Sequence, residues 1–177
     1  MKDHSHISDG CKVGGEIESS VMECYSNKQH HSFLGHSWVG SWVNVGAGTC
    51  TSDLKNTYGE VTVHYQDRKI ATGMQFLGCV FGDYSKTAVN TSVFTGKAIG
   101  VASCVYGFVS TNVPSFCNYA RTFGKITEHF LPSAVRTQER MFARRGLQQT
   151  RVHIKLLEDV HRITRDERIM STETLSF

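Results

Sequence analysis

Apolar residues recur at every sixth position in the middle of the chain, and small or branched residues follow four positions later. The apolar series is Phe33, Val39 and Val45, and the residues four positions on are Ser37, Val43 and Thr49. A surface helix would show a period near 3.6 and a half-buried strand a period of about two, so neither explains this spacing alone. A six-residue period is expected of a solenoid in which each hexapeptide forms one flat face of a coil.

The same ladder extends on both sides of this block. The further lead positions are Ile7, Val13, Phe81, Thr87, Val93, Ile99 and Val105. Three hexapeptides would close one triangular coil, and stacked coils would lie about 4.8 Å apart, the spacing of hydrogen-bonded strands. An all-β sandwich with chance spacing is the alternative, but the phase of the central block returns at Phe81 after six whole hexads. We therefore predict an all-β fold, a parallel β-helix, over roughly residues 7–110.

The apolar phase lapses between Thr51 and Val80. Alternating residues in this interval predict a β-hairpin that is inserted into the coil at about residues 60–72. The polar, turn-rich stretch at 52–59 precedes it and is either a plain surface loop or a loop that covers a site beside the coil.

The chain changes character after about Pro114. A helix is predicted at 132–145, with Ser133 as its N-cap and Gly146 as its stop. The spacing of the apolar residues beyond it predicts a second helix that ends near Met170. These elements divide the chain into a β-helix domain at 1–118 and a helical C-terminal tail at 119–177.

Composition narrows the class of protein. The chain has 177 residues and a net charge of only +3, which does not favour a nucleic-acid partner. No apolar run approaches the roughly 18 residues that a membrane span needs. The six cysteines are widely scattered, which is typical of free thiols in a reducing compartment, and the N-terminal residues lack the apolar core of a signal peptide. We therefore expect a cytoplasmic protein.

Two segments resemble a known enzyme family. They are Asn-Lys-Gln-His-His-Ser-Phe-Leu-Gly at 27–35 and Val-Gly-Ser-Trp-Val-Asn-Val-Gly-Ala-Gly-Thr at 39–49. They resemble the C-terminal half of the bacterial bifunctional N-acetylglucosamine-1-phosphate uridyltransferase/glucosamine-1-phosphate acetyltransferases. They are still more similar to sugar-phosphate nucleotidyltransferases that carry the same C-terminal domain. The resemblance covers roughly residues 7–118 and includes the tail only loosely.

This resemblance implies a left-handed parallel β-helix that forms a homotrimer, with active sites between subunits. It implies an acetyltransferase that moves the acetyl group of acetyl-CoA to an amino-sugar 1-phosphate. His30 aligns with the catalytic base of the family, and Glu18 and Asn44 align with residues that contact the substrate. The aligned positions for the cofactor are Ala47, Gly48, Val89 and Tyr106.

Several site positions depart from the family pattern. Phe33 stands where the family has a tyrosine, and no lysine follows Glu18. Asp53-Leu54 replaces an Asn-Tyr pair, and Lys55 and Tyr58 are candidates to substitute for the missing groups. Lys28 and Lys55 are also candidates to bind the phosphate of the sugar as point charges. The chain begins inside the repeat, where a nucleotidyltransferase domain would normally precede it, which suggests a fragment or a truncated form.

The chemistry of acetyl transfer suits these residues. Histidine accepts a proton near neutral pH, so His30 is a reasonable base, and Glu18 is a candidate to orient it or to hold the ammonium group. Backbone N–H groups at 46–48 are candidates to stabilise the oxyanion. Spacing alone would leave His30 a surface histidine, and Asn44 has the alternative of an internal asparagine ladder.

Two other functions remain open from the sequence. The β-helix is alternatively an inactive module that only trimerises and positions a sugar nucleotidyltransferase domain. A trimeric β-helix can also bind zinc through three histidines, as gamma-class carbonic anhydrases do, and His30, His31, His36 and His64 supply enough ligands. The local motif favours the acetyltransferase, so no bound metal is expected.

Overall fold

The computed structural model describes residues 4–65 and 68–169. It shows a parallel β-solenoid of short strands, followed by three helices. The first strands are β1 (His6–Ile7), β2 (Lys12–Val13), β3 (Glu16–Glu18), β4 (Val21–Met22), β5 (Asn27–Lys28), β6 (Phe33–Gly35), β7 (Trp38–Val39), β8 (Cys50–Thr51) and β9 (Thr62–Tyr65). The remaining strands are β10 (Arg68–Ala71), β11 (Val80–Phe81), β12 (Lys86–Thr87), β13 (Ser92–Val93), β14 (Ala98–Ile99), β15 (Cys104–Val105), β16 (Phe108–Val109), β17 (Cys117–Ala120) and β18 (Lys125–Glu128).

The strands lie on three faces. The first face is a parallel sheet in the order β1-β4-β7-β11-β14. The second face begins with β2 and β5, continues through single bridges at Asn44, and ends with β12-β15-β17-β18. The third face contains β3 with β6, and β8 with β13 and β16. The predicted parallel β-helix is therefore confirmed.

Aligned side chains form continuous columns inside the solenoid. On the first face, one column contains Ile7, Met22, Val39, Phe81 and Ile99, which are partners in the strand register. The last four are fully buried, with no more than 1% of each side chain exposed. Each added coil thus buries one more apolar residue in this column, and burial of such residues between neighbouring coils stabilises the solenoid.

The predicted lead position Phe33 is wrong by one residue. Leu34 is the buried partner of Ile17, and Phe33 is only half-buried. The reason is the length of the coil, because the pairing of Val21 with Trp38 spans 17 residues rather than three whole hexads. By contrast, the pairing of Val80 with Ala98 spans 18 residues, and there the six-residue phase holds.

The hairpin and the end of the solenoid lie close to their predicted places. Strands β9 and β10 pair antiparallel, as expected for an insertion at about 60–72. At the other end, β17 pairs in parallel with β15, and β18 returns antiparallel against β17 after a 3-10 turn at Arg121–Phe123. The strands thus extend ten residues beyond the boundary predicted at residue 118, and the helices begin only at Leu131.

The helices are α1 (Leu131–Ala143), α2 (Arg151–Ile163) and α3 (Arg165–Ile169). Helix α1 begins after Phe130 rather than at a Ser133 cap, because Pro132 fits the first helical turn. Gly146 has φ of 71° and follows the end of α1, as predicted. The predicted second helix is divided into α2 and α3, and its predicted end near Met170 lies outside the described residues.

Helix α1 packs on one corner of the solenoid. The Phe142 ring lies 4.5 Å from the Trp42 ring, which in turn stacks on Tyr25 at 4.5 Å. A second buried cluster joins Ala102 and Phe116 of the coil to Ala134 and Leu157 of the helices. In the described part of the chain, no helix is long and apolar enough to cross a membrane.

Candidate functional site

Successive coils place the predicted base and the predicted cofactor residues along one corner. His30 and His31 lie in the turn between β5 and β6, and the amide of Gly48 in the next coil donates to the His31 carbonyl at 3.3 Å. The Asn90 amide then donates to the Ala47 carbonyl at 2.8 Å. This corner, formed by residues 30–31, 47–48, 89–90 and 106–107, is called the His30 edge below.

The His30 edge continues upward through one more coil. The amide of Ala88 donates to the Val105 carbonyl at 2.8 Å, and that of Ser92 donates to the Gly107 carbonyl at 3.0 Å. These bonds bring Val89 and Tyr106 into line above Ala47, and their side chains are 65% and 39% exposed. Both side chains are therefore accessible from outside the coil.

The backbone at residues 46–48 has one amide to offer a ligand. Gly46 N–H donates to Thr87 Oγ1 at 2.9 Å, and Gly48 N–H is used by the His31 carbonyl. Among described groups, the Ala47 N–H has no acceptor. Gly48 has φ of 73°, and a Cβ there would lie 2.1 Å from Asn90 Oδ1, so a larger residue would be strained and would displace the Asn90 side chain.

Glu18 lies at a different corner from His30. The His36 amide donates to the Glu18 carbonyl at 3.0 Å, and His36 Nδ1 lies 2.7 Å from Asp53 Oδ2. Strand β6 separates this group from His30 within one chain. The sequence did not identify the His36–Asp53 pair, because the two residues meet only through the fold and no local motif links them.

The predicted loop residues gather beside Phe33. A cleft of about 710 Å³ is lined by Phe33, Asp53, Lys55 and Phe94, among others. Lys55 Nζ donates to the Glu60 carbonyl, which folds the loop back on itself. Tyr58 is not in the lining of this cleft and its side chain is 69% exposed, although its carbonyl accepts a bond from Gln75 Nε2 at 2.8 Å.

Lys28 is placed inside the coil rather than at the cleft. Its side chain is only 1% exposed, and its Nζ donates to the carbonyls of Gly14 at 3.0 Å and His30 at 2.8 Å. It occupies the interior column in which Val105 and Thr87 align in higher coils. Burial lowers the pKa of this lysine. Lys28 thus ties the turn of the predicted base to the coil below it.

Replacing Lys28 with methionine should alter the pH dependence of stability in one direction. Because burial lowers the pKa of Lys28 in the folded state, the unfolded chain binds more protons between the folded and unfolded pKa values. The wild type should therefore gain stability relative to Lys28→Met as the pH rises toward 10.5. At pH values below the folded pKa, burial of the charged lysine should lower the stability of the wild type by its full amount. Urea midpoints at pH 7 and pH 10 measure this difference.

The exposed Lys125 on β18 supplies the matched control. Lys125→Met should show the same stability difference from wild type at both values of pH. If the stability difference between wild type and Lys28→Met is also independent of pH, burial does not lower the pKa of Lys28 and the prediction is wrong. Far-ultraviolet circular dichroism checks that each variant keeps its strands.

Asn44 lies on the second face, where it bridges Asn27 below and Lys86 above. Asn27 Nδ2 donates to Asn44 Oδ1 at 3.4 Å, but the pair faces outward, because the adjacent Lys28 and Val45 are the side chains that point into the coil. Arg145, from the turn after α1, donates to Asn27 Oδ1 at 2.7 Å. The structure therefore groups Asn44 with residues of the helical tail, and that association has no signal in the sequence.

The four histidines considered for zinc do not converge within one chain. His30 and His31 lie on one corner, His36 pairs with Asp53 on another, and His64 is in the hairpin. Across the described residues, no group of three His, Cys, Asp or Glu side chains has a geometry that could hold a metal ion.

No family model matches the chain. It is 32% identical over 108 residues to a bifunctional sugar-1-phosphate nucleotidylyltransferase/acetyltransferase of Sulfurisphaera tokodaii, a match that covers 60% of this chain and 27% of that protein. It is 32% identical over 97 residues to the bifunctional protein GlmU of Rippkaea orientalis, covering 54% and 21%. It is also 32% identical over 95 residues to the uncharacterized acetyltransferase YaiX of Escherichia coli, covering 52% and 41%.

The chain thus spans about a quarter of the length of the bifunctional relatives that it matches. The shared region and the parallel solenoid agree with the resemblance stated from residues 27–49. By its sequence and its fold, the solenoid of this chain is similar to the acetyltransferase-type β-helix of bifunctional sugar-1-phosphate nucleotidylyltransferase/acetyltransferases.

Proposed function

We propose that this chain transfers an acetyl group from acetyl-CoA to the amine of an amino-sugar 1-phosphate. The observation that carries the proposal is the His30 edge, which aligns His30 with Ala47, Gly48, Val89 and Tyr106 in successive coils. The acetyltransferase names of the relatives from Sulfurisphaera tokodaii and Escherichia coli support the reaction class.

The reaction needs few groups, and this edge supplies them. The acceptor nitrogen attacks the thioester carbonyl, a C–N bond forms, and the C–S bond breaks to release coenzyme A. His30 accepts the proton from the nitrogen. It then passes this proton to the leaving thiolate or to water. The Ala47 N–H is the available backbone donor for the oxyanion, because the amides of Gly46 and Gly48 are occupied.

The acceptor contacts are proposed at the loop cleft, where Asp53 and Lys55 lie in the lining and Tyr58 is exposed on the same loop. Glu18 lies at the same corner as Asp53 and on the far side of β6 from His30. One chain therefore does not bring these groups together around His30, and a neighbouring subunit would complete the site.

We infer a homotrimer on this basis. Trp38 is 41% exposed, and Val80 beside it on the same face is 46% exposed. Contact between subunits would cover this apolar surface. Trp42, by contrast, is already covered by Tyr25 and Phe142 of its own chain. Sedimentation equilibrium at micromolar concentration should give three times the chain mass, and a stable monomer would overturn the assembly.

The activity is tested by release of free coenzyme A from acetyl-CoA in the presence of amino-sugar 1-phosphates. The negative controls are the same amino sugars without phosphate and the N-acetylated sugar phosphates, neither of which should release coenzyme A. The Cys50 side chain is exposed and would react with a thiol reagent, so chromatographic detection or a Cys50→Ser background is required. If no acceptor works and calorimetry shows no acetyl-CoA binding, the solenoid serves only as a scaffold.

A further inference from the structure

A small basic pocket lies between the end of α1 and the second face of the solenoid. Its volume is about 240 Å³, and its polar lining residues are Asn27, Asn44, Lys86, Arg144 and Arg145. Lys86 comes from β12, whereas the two arginines directly follow α1. Three cations from two separate parts of the fold therefore meet at one pocket.

The cations are only partly satisfied by the protein. Arg145 Nη2 donates to Asn27 Oδ1 at 2.7 Å, and Lys86 Nζ donates to the Tyr84 carbonyl at 2.7 Å. Each group has further donors, since a guanidinium offers five N–H bonds and an ammonium three. Among the described residues, none of the three cations has a carboxylate within 4.0 Å.

The three positive side chains of the pocket favour an added anion. The carbonyl end of α1 stabilises nearby positive charge, which accounts in part for Arg144 and Arg145. It does not account for Lys86, which belongs to the coil and whose pKa is lowered by burial. One carboxylate, Glu23, is near Arg145, since, besides burial, the charges of both residues influence the pKa of the Cys11 thiol. It does not form an ion pair with any of the three cations.

We propose that this pocket binds a phosphoryl group. The guanidinium groups and the ammonium supply charge-assisted donors to phosphate oxygens, and the amides of Asn27 and Asn44 supply neutral ones. The pocket accommodates phosphate or pyrophosphate, and it is too small to enclose a whole nucleotide. His30 lies in the turn after β5, and no residue of the His30 edge is in the lining of this pocket.

The proposal goes beyond the proposed acetyl transfer and has its own readout. Inorganic phosphate and pyrophosphate are titrated into the full chain by calorimetry at constant ionic strength, with chloride as the balancing salt. Arg144→Gln and Lys86→Met should each weaken binding by about 10- to 100-fold, the range expected for the loss of one charged hydrogen bond. Arg140→Gln, an exposed charge change one turn earlier on α1, should leave binding unchanged.

The outcomes separate the alternatives. Equal losses in Arg140→Gln and Arg144→Gln would show general charge attraction and overturn the site, as would the absence of phosphate binding by the wild type. Competition between an amino-sugar 1-phosphate and inorganic phosphate, lost in Arg144→Gln, would identify the phosphate of an acceptor as the ligand. If pyrophosphate competes with inorganic phosphate and the sugar phosphate does not, the ligand of the pocket is a free phosphate or pyrophosphate. His30→Ala should bind phosphate normally, so failure of acetyl transfer leaves this test intact.

Discussion

Replacing His30 with alanine is expected to lower the turnover of acetyl transfer by about 10²–10⁴-fold, the usual cost of removing a general base. The side chain is exposed in the turn between β5 and β6, so its loss should not disturb the interior columns. Turnover is measured by release of coenzyme A at saturating acetyl-CoA. The Michaelis constant for acetyl-CoA should change little, because the proposed cofactor contacts lie in the coils above.

His31 gives the matched control, since it is the same residue type in the same turn and is also exposed. His31→Ala should keep most of the turnover. A large loss of turnover in His30→Ala together with near-normal turnover in His31→Ala would identify His30 as the base. Activity that survives His30→Ala would leave the fold assignment intact and show that another group accepts the proton.

Replacing Phe81 with alanine is expected to destabilise the fold by about 3–5 kcal/mol, the range for truncating a fully buried phenylalanine. Phe81 has 0% exposure and lies in the column between Val39 and Ile99. The cavity would lie in the middle of the stack, where coils on both sides restrict collapse. Urea unfolding at one fixed protein concentration measures the change, because an oligomer makes the midpoint depend on concentration.

Phe123→Ala tests the same truncation at a site with 68% exposure in the 3-10 turn, and it should cost less than about 1 kcal/mol. A similar small cost for Phe81→Ala would mean that the column does not determine stability. Phe81→Leu, which keeps more of the volume, should lie between the two.

The columns of the solenoid follow from the sequence because they have a simple periodic origin. Val39 and Val45 are buried as the six-residue period requires. Phe33 was misplaced because a coil of 17 residues shifts the phase by one, and nothing in the chain marks where that residue is missing. The missing residue falls at the corner between the buried Leu34 and Val39, which are five positions apart, and His36 adopts a φ of 47° there.

The candidate site was less accessible to sequence reasoning than the fold. The resemblance identified His30, and the stacked coils give its predicted neighbours a common edge. The chemistry of lysine suggested Lys28 as a phosphate ligand, whereas the fold directs this side chain inward to two carbonyls. The reversal has a physical cause: strand register decides which face a residue occupies, and a shift of one residue inverts it.

The insertion between Thr51 and Val80 has a consequence for how such solenoids diversify. Trp38 and Val80 pair directly across 42 residues, and the column of Val39 and Phe81 is as regular there as elsewhere. The segment inserted after Thr51 can therefore be lengthened, shortened or exchanged while the stacking of adjacent coils is preserved. The acceptor contacts that we propose also lie in this insertion, so acceptor preference would be free to change during evolution independently of the His30 edge.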